Sequence, residues 1–153
     1  MPFLLPNSHA FKVFHFTSPP FPNMPHPTYC ARLDGKRSKT IFANICKTLK
    51  KGKLYRDPHF TALQLAELLN TNTRYIAAVI QLNTNDNFSN LLNALRLSDA
   101  ERMLRTKPDY SAEEIGLSVG FGSRQSFYRV FLKKYGLTPR QFRQQCKEEK
   151  ADA

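Results

Sequence analysis

Residues 111–143 constrain the fold of this chain most, because signals that start and end helices alternate there at short intervals. Ser111 and Glu114 have the spacing of a capping box, in which both side chains satisfy free backbone N–H groups at the start of a helix. Gly120 allows the positive φ that a sharp turn between helices requires. Ser123 can then cap the next helix. The stretch predicts two short helices joined by a tight turn, followed by the start of a third helix.

The second of these helices has two chemically distinct faces. Phe127, Val130 and Phe131 are spaced to face inward, and Gly136 ends the helix before Thr138-Pro139 opens the next one. The face opposite the phenylalanines is polar, and its residues are Arg124, Gln125, Tyr128, Arg129 and Lys133. Because Arg and Gln match the edges of guanine and adenine in the major groove, the pattern favours a helix-turn-helix that binds DNA. The alternative is an ordinary helical hairpin with a solvated outer face.

The same stretch resembles the C-terminal signature of AraC/XylS-type transcriptional regulators, and the resemblance extends over about residues 38–147. The chain departs from the pattern at Gly116, where the family usually has Ala, and at Leu132, where it usually has Lys. We expect Gly116 to weaken its helix slightly. The residues that carry the resemblance are Gly120-Phe121, Phe127, Arg129, Phe131, Lys133, Gly136, Thr138-Pro139 and Phe142-Arg143.

Charge points to a polyanionic partner. The 153 residues carry a formal net charge of +11. Residues 36–56 hold eight Lys or Arg with no acid among them, and residues 124–147 hold seven, again without an acid. The four His and three Cys residues form no metal-ligand or catalytic spacing, so we expect no cofactor, no metal site and no disulfide framework.

Residues 1–34 differ from the rest in composition. They contain seven prolines and five phenylalanines with little charge, and we expect them to form a disordered arm. The phenylalanines could instead dock on the domain or on a partner. Family members commonly carry a sensory or dimerisation domain upstream, and the arm is too short to be one. No signal peptide and no membrane span is predicted.

An earlier part of the chain repeats the motif. Thr61 and Gln64 form a second capping box, and Asn70 takes the turn position of Gly120 at an offset of 50. Asn72 can cap the following helix, whose Ile80 corresponds to Phe131 at an offset of 51. The second unit therefore has one extra residue in its turn. Such an internal duplication is what AraC-type domains show. The outward positions of the first unit's second helix are Thr73, Arg74, Ala77, Ala78 and Gln81.

The predicted fold is all-α, with two helix-turn-helix subdomains joined by a long linker helix and about seven helices in total. The first unit covers about residues 38–86, the linker helix 87–106 and the second unit 111–149, within a DNA-binding domain at 35–150. The helical pattern of the first unit begins at Ser38, and its apolar stripe consists of Ile41, Phe42, Ile45 and Leu49. Arg96 in the linker helix is expected to have a structural role. We expect the linker to hold the two units at a fixed separation.

The resulting interpretation is a regulator of transcription that binds DNA sequence-specifically, with one helix of each unit in adjacent major-groove segments about 34 Å apart. The alternatives are a nonspecific nucleic-acid-binding module and a DNA-binding fragment of a larger sensor-regulator. Neither an enzyme nor a small-molecule effector site within this chain is expected. Partners would be double-stranded DNA and, as the family implies, RNA polymerase, in the cytoplasm and associated with the nucleoid. Expected DNA contacts are Thr73, Arg74, Gln81, Ser123, Arg124, Gln125, Tyr128 and Arg129, with Lys133, Thr138 and Gln141 contacting phosphates.

Overall fold

The computed structural model describes residues 35–151, and all regular secondary structure in this part of the chain is helical. The helices are α1 (Gly35–Lys51), α2 (Ala62–Leu68), α3 (Thr73–Thr84), α4 (Phe88–Thr106), α5 (Ala112–Ser118), α6 (Arg124–Tyr135) and α7 (Pro139–Ala151), with a short 3-10 helix at Leu54–Arg56. The prediction of an all-α double helix-turn-helix with seven helices is confirmed. The predicted arm at residues 1–34 lies outside the described part. Among the described helices none is long and apolar enough to cross a membrane.

The start of each unit's first helix is fixed by a capping box. The amide of Gln64 donates to the Thr61 hydroxyl, and the Gln64 side chain accepts from the Thr61 amide at 2.8 Å. Ser111 and Glu114 make the same reciprocal pair, with the Ser111 amide 2.7 Å from the Glu114 carboxylate. Hydrogen bonds from the backbone to this carboxylate hold its pKa below the usual range. The two predicted capping boxes are therefore present.

The turns of the two units are built alike. Asn70 (φ 49°) and Gly120 (φ 104°) both adopt positive φ directly after the first helix. The next amide then reaches back to the first helix, from Thr71 to the Ala66 carbonyl at 2.8 Å and from Phe121 to the Gly116 carbonyl at 3.1 Å. These are the bonds of a helix C-terminal turn, so two different sequences reach the same hydrogen-bond pattern with different φ values at the turn residue.

Each unit has its own hydrophobic core. The first core joins α1, α2, α3 and the start of α4, and it is largely aliphatic. The second joins the rest of α4 with α5, α6 and α7, and it contains several aromatic rings. The buried residues of the first core include Ile45, Leu49, Leu65, Ile76, Val79, Ile80, Leu91 and Leu92. Those of the second include Leu97, Met103, Leu104, Ile115, Val119, Phe121, Phe127, Phe131 and Phe142.

Helix α4 contributes to both cores from different faces. Leu91 and Leu92 belong to the first core, and Leu97, Met103 and Leu104 to the second. A single apolar stripe would serve only one of them, which explains why this helix is apolar on more than one side. The predicted linker helix is thus part of both units.

Two details differ from the sequence-based expectations. Helix α1 begins at Gly35, three residues before Ser38, where the sequence predicted its start, and it buries Ser38, whose hydroxyl accepts from the side-chain amide nitrogen of Asn83 at 2.7 Å. Gly116 has a packing role, because a Cβ at that position would lie 2.5 Å from the ring of Phe127. The glycine lowers the helix propensity of α5, but it also allows α5 and α6 to pack in close contact.

Candidate nucleic-acid interface

The polar face of α6 is held outward because the opposite face is anchored in the second core. Phe127 and Phe131 are fully buried, with their ring centroids 5.5 Å apart at an angle of 69°. Ser123 caps the helix by accepting from the Ser126 amide at 3.2 Å. Rotation of α6 about its axis would expose two phenylalanines, so its outer face is fixed.

Two of the predicted reading residues on α6 contact each other. The Arg124 guanidinium lies over the Tyr128 ring, 5.1 Å from its centroid. It also forms an ion pair with Glu113 of α5, at 3.5 Å, in which both side chains are about half exposed. Tyr128 is half-buried and packs edge-on against Phe127. Arg124 is therefore oriented at the first turn of α6 by Tyr128 and Glu113, and both would compete with an external ligand for its guanidinium.

Gln125 and Arg129 are available for an external ligand. Both are exposed, and neither makes a side-chain hydrogen bond or ion pair with the described part of the chain. Gln125 can donate and accept at once, and Arg129 presents a planar fork of donors. The structure thus brings Arg124, Gln125, Tyr128 and Arg129 together on one face of one helix, as predicted.

The corresponding face of α3 carries less polar chemistry. Thr73 and Arg74 are exposed in its first turn, but Ala77 and Ala78 follow where hydrogen-bonding groups could stand. The Gln81 amide nitrogen donates to the Asn85 side chain at 3.0 Å. Gln81 therefore helps to end the helix, and its side-chain oxygen is left to accept an external bond.

The three predicted phosphate contacts occupy different surroundings. Thr138 and Gln141 form a third capping box at the start of α7, with the Thr138 amide donating to the Gln141 side chain at 2.9 Å. Lys133 is exposed on α6 and close enough to Asp86 of the first unit to contribute to the lowering of that carboxyl's pKa. The larger causes of that shift are hydrogen bonds to Asp86 from the Asn90 side chain and the Asn87 amide.

A junction between the two units was missed by the sequence reasoning. Asp99 of α4 is buried and accepts from Tyr55 at 3.0 Å, from Arg56 Nε at 2.8 Å and from Arg102. Burial alone would raise the pKa of the Asp99 carboxyl, but the hydrogen bonds from Arg102, Arg56 and Tyr55 outweigh this and lower it. The carboxylate therefore ties the 3-10 helix of the first unit to the linker helix.

The same junction reaches the turn of the second unit. A Cβ on Gly120 would overlap the backbone of Arg56, so the two chain segments are in direct contact. Arg96 is buried and donates to the carbonyls of Tyr55 (2.6 Å) and Asp57 (2.9 Å), while its guanidinium lies 5.9 Å from the centroid of the Phe121 ring. This places Arg96 in the packing role predicted for it. The sequence signal for the junction was weak, because Arg96 and Asp99 are two of several charged residues in the mixed sequence of α4.

Comparison with known proteins identifies the family. A family model described as a helix-turn-helix domain matches residues 65–145, more than half of the chain. The transcriptional regulatory protein YesN of Bacillus subtilis is 32% identical over 78 residues, which are 50% of this chain and 21% of YesN. The chain therefore spans about a fifth of that relative's length.

Solved structures agree with the fold. The C-terminal domain of the response regulator yesN from Fusobacterium nucleatum superposes with a TM-score of 0.60 at 28% identity, covering 68% of this chain and 98% of that domain. The DNA-binding domain of AdpA, solved in complex with a target DNA, superposes with a TM-score of 0.63 at 22% identity, covering 72% of this chain and 96% of that one. With its duplicated turns and its linker helix, the chain belongs to the AraC-type helix-turn-helix family of transcriptional regulators.

Proposed function

We propose that this protein is a sequence-specific DNA-binding regulator of transcription that inserts α3 and α6 into two adjacent segments of the major groove. The observation that carries the proposal is the outer face of α6, where Gln125 and Arg129 are exposed and have no partner within the described part of the chain, beside an oriented Arg124. Their donors and acceptors suit base edges, and Phe127 and Phe131 hold them in place.

The two units are held in a fixed position relative to each other, which supports binding to two segments of the major groove rather than one. Helix α4 belongs to both cores, and the buried Asp99 and Arg96 connect it to the turn between α1 and α2. Because the units are tandem repeats and not related by a two-fold axis, the site should be asymmetric, and a monomer suffices. Bending DNA to meet two rigidly spaced helices would cost on the order of 1–6 kcal/mol.

The two units are proposed to contribute unequally. Base contacts come mainly from Arg124, Gln125, Tyr128 and Arg129, while Thr73, Arg74 and Gln81 of the first unit add fewer hydrogen bonds. Ser123, Lys133, Thr138 and Gln141 are proposed to lie near the sugar-phosphate backbone.

Double-stranded DNA is the proposed partner, and the proposal is supported by the complex of AdpA, a protein of this fold, with its target DNA. We further propose that the protein acts in the cytoplasm on the nucleoid and contacts RNA polymerase, because its relatives are regulators of transcription. The proposed function involves no catalytic step, cofactor or effector.

A nonspecific nucleic-acid-binding function is the second candidate, since the two acid-free basic segments at 36–56 and 124–147 would attract any polyanion. Selection from a randomised duplex pool at two salt concentrations separates the two. Sequence-specific reading predicts an enriched asymmetric site with two elements about 10 bp apart. A pool that shows no enrichment while affinity collapses in salt would reject the proposed function in favour of the second candidate.

A further inference from the structure

A second basic surface lies on α7, next to the start of α5. Its residues on α7 are separated by three and four positions, so they project from one side of the helix. They face the first residues of α5 across an open groove of about 280 Å³, which we call the α7 groove. The residues that line it are Ser111, Ala112, Glu113, Arg140, Arg143, Gln144 and Lys147.

The α7 groove contains positive charge that the protein itself does not neutralise. Arg143 is partly buried, and its Nε and Nη2 atoms are buried without a hydrogen-bond acceptor in the described part of the chain. Arginine is rarely buried unless it is paired, because a desolvated guanidinium without an acceptor is costly. Arg140 and Lys147 stand on either side of it and are exposed. An anion in the groove would supply the missing countercharge.

The nearby carboxylates are engaged elsewhere. Glu113, the one acid in the lining, pairs with Arg124 at 3.5 Å. On α7, Glu148 accepts from Gln144 at 2.8 Å, and Glu149 lies 3.8 Å from Arg105 of α4. The three cations of the groove therefore have no ion-pair partner among residues 35–149.

We propose that the α7 groove binds a backbone phosphate of the DNA immediately outside the segment contacted by α6. The proposal rests on the proposed function and names a further contact of the same complex. The link to DNA is the Glu113–Arg124 ion pair, which connects the wall of the groove to the first turn of the helix that carries the reading residues. The exposed side chains of Arg140 and Lys147 provide the donors that a phosphate can reach, and the partly buried guanidinium of Arg143 adds positive charge behind them.

The test uses the duplex selected by the whole protein, extended by half a helical turn beyond the α6 element. Single phosphates along the extension are replaced by neutral methylphosphonates, and binding is measured for the wild type and for Arg143→Gln. For the wild type, one substitution should weaken binding about tenfold. For Arg143→Gln the same substitution should have a clearly smaller effect than in the wild type, because only Arg140 and Lys147 then remain, and the slope of log affinity against log salt should fall by about 0.9.

Two further variants control for folding and for charge. Lys147→Gln alters an exposed side chain of the groove, so this variant should keep the fold even if Arg143→Gln does not. Neutralising the same phosphate should weaken its binding less than it weakens binding of the wild type. Lys107→Gln removes an exposed charge outside the groove and should show the wild-type loss at that phosphate. Equal losses for the wild type and both groove variants at every phosphate would overturn the proposal and leave the proposed function standing. If selection enriches no site, the proposed function fails. The salt slope is then compared for the wild type and Arg143→Gln on a random duplex: a smaller slope for the variant would support a phosphate contact in the groove, and equal slopes would overturn it.

Discussion

The two helix-turn-helix units have the same backbone plan and different surface chemistry. Positions related by 51 residues carry Arg124 and Thr73, Gln125 and Arg74, Tyr128 and Ala77, Arg129 and Ala78. Both helices are held by a capped N-terminus and a buried face. The two units therefore share the same arrangement of helices and caps, while the side chains suited to base contacts are concentrated in the second unit.

The cores differ in the same way. The buried face of α3 is formed by Ile76, Val79 and Ile80, and that of α6 by Phe127 and Phe131. Aromatic rings fill more volume, and Gly116 accommodates Phe127 where the first unit has Ala66. We therefore expect the second unit to respond more strongly to loss of a core side chain.

The largest effect is expected from truncating the two equivalent core residues. Phe127→Ala should lower the free energy of unfolding by about 3–5 kcal/mol, and Ile76→Ala by about 2–5 kcal/mol, because both side chains are fully buried. Chemical denaturation of both variants gives the comparison. A larger loss for Ile76→Ala would show that the aliphatic core is the more rigid of the two.

Exchanging the turn residues tests whether the turns are equivalent. Gly120→Asn should cost about 1–3 kcal/mol in backbone strain and a further ~1–3 kcal/mol in overlap with Arg56. Asn70→Gly should change stability by less than about 1 kcal/mol, since Asn70 has a φ of 49° that glycine adopts freely. Thermal unfolding of the two variants is the measurement. Similar losses at both positions would contradict the contact between Gly120 and the first unit.

Neutralising the junction carboxylate should loosen the connection between the units. Asp99→Asn should lower the free energy of unfolding by about 1.5–3 kcal/mol, because charge-assisted bonds to Arg56 and Arg102 are lost. Folding lowers the pKa of Asp99. The stabilisation that its carboxylate provides is therefore fully present above the pKa of the unfolded state, about 3.9, and is lost as the pH falls through the pKa of the folded state.

Stability curves against pH for the wild type and Asp99→Asn provide the check. The two should be separated by a constant amount from pH 5 to pH 7 and should converge in acid. A separation that persists unchanged below pH 2 would mean that packing, rather than the charge of Asp99, sets the difference.

The smallest expected effect concerns a single reading residue. Arg129→Ala should weaken binding to the selected site by about 1–3 kcal/mol and relax the preference at one base pair, because a bidentate contact is removed. Ala78→Gly, the matched change in the first unit, should leave that preference unaltered. Competition with random duplex is the control, since equal losses on both DNAs would make Arg129 a phosphate contact.

The sequence predicted the elements well and the junction poorly. Capping boxes at Thr61 and Ser111 depend on residues three apart, so local spacing reveals them. The contacts of Asp99 with Tyr55 and Arg56 span more than 40 residues of the chain and leave no periodic pattern. The packing of Gly116 against Phe127 was hidden for the same reason, because propensity describes a helix alone and not its neighbour.

For the reading face, the sequence predicted which residues share a side of α6. It did not indicate that Arg124 pairs with Glu113, that Gln81 is bonded to Asn85, or that Arg143 is buried without an acceptor. These depend on how helices pack and on where helices end, which only the three-dimensional structure shows.

The most direct test of the account measures the affinity of the wild-type protein for its selected duplex after each half of the site is scrambled separately. Each lost base contact should cost about 1–3 kcal/mol, so scrambling the half bound by α6, where four candidate readers lie, should reduce affinity much more than scrambling the half bound by α3. Equal reductions, or a greater loss from the α3 half, would contradict the claim that the second unit carries most of the specificity.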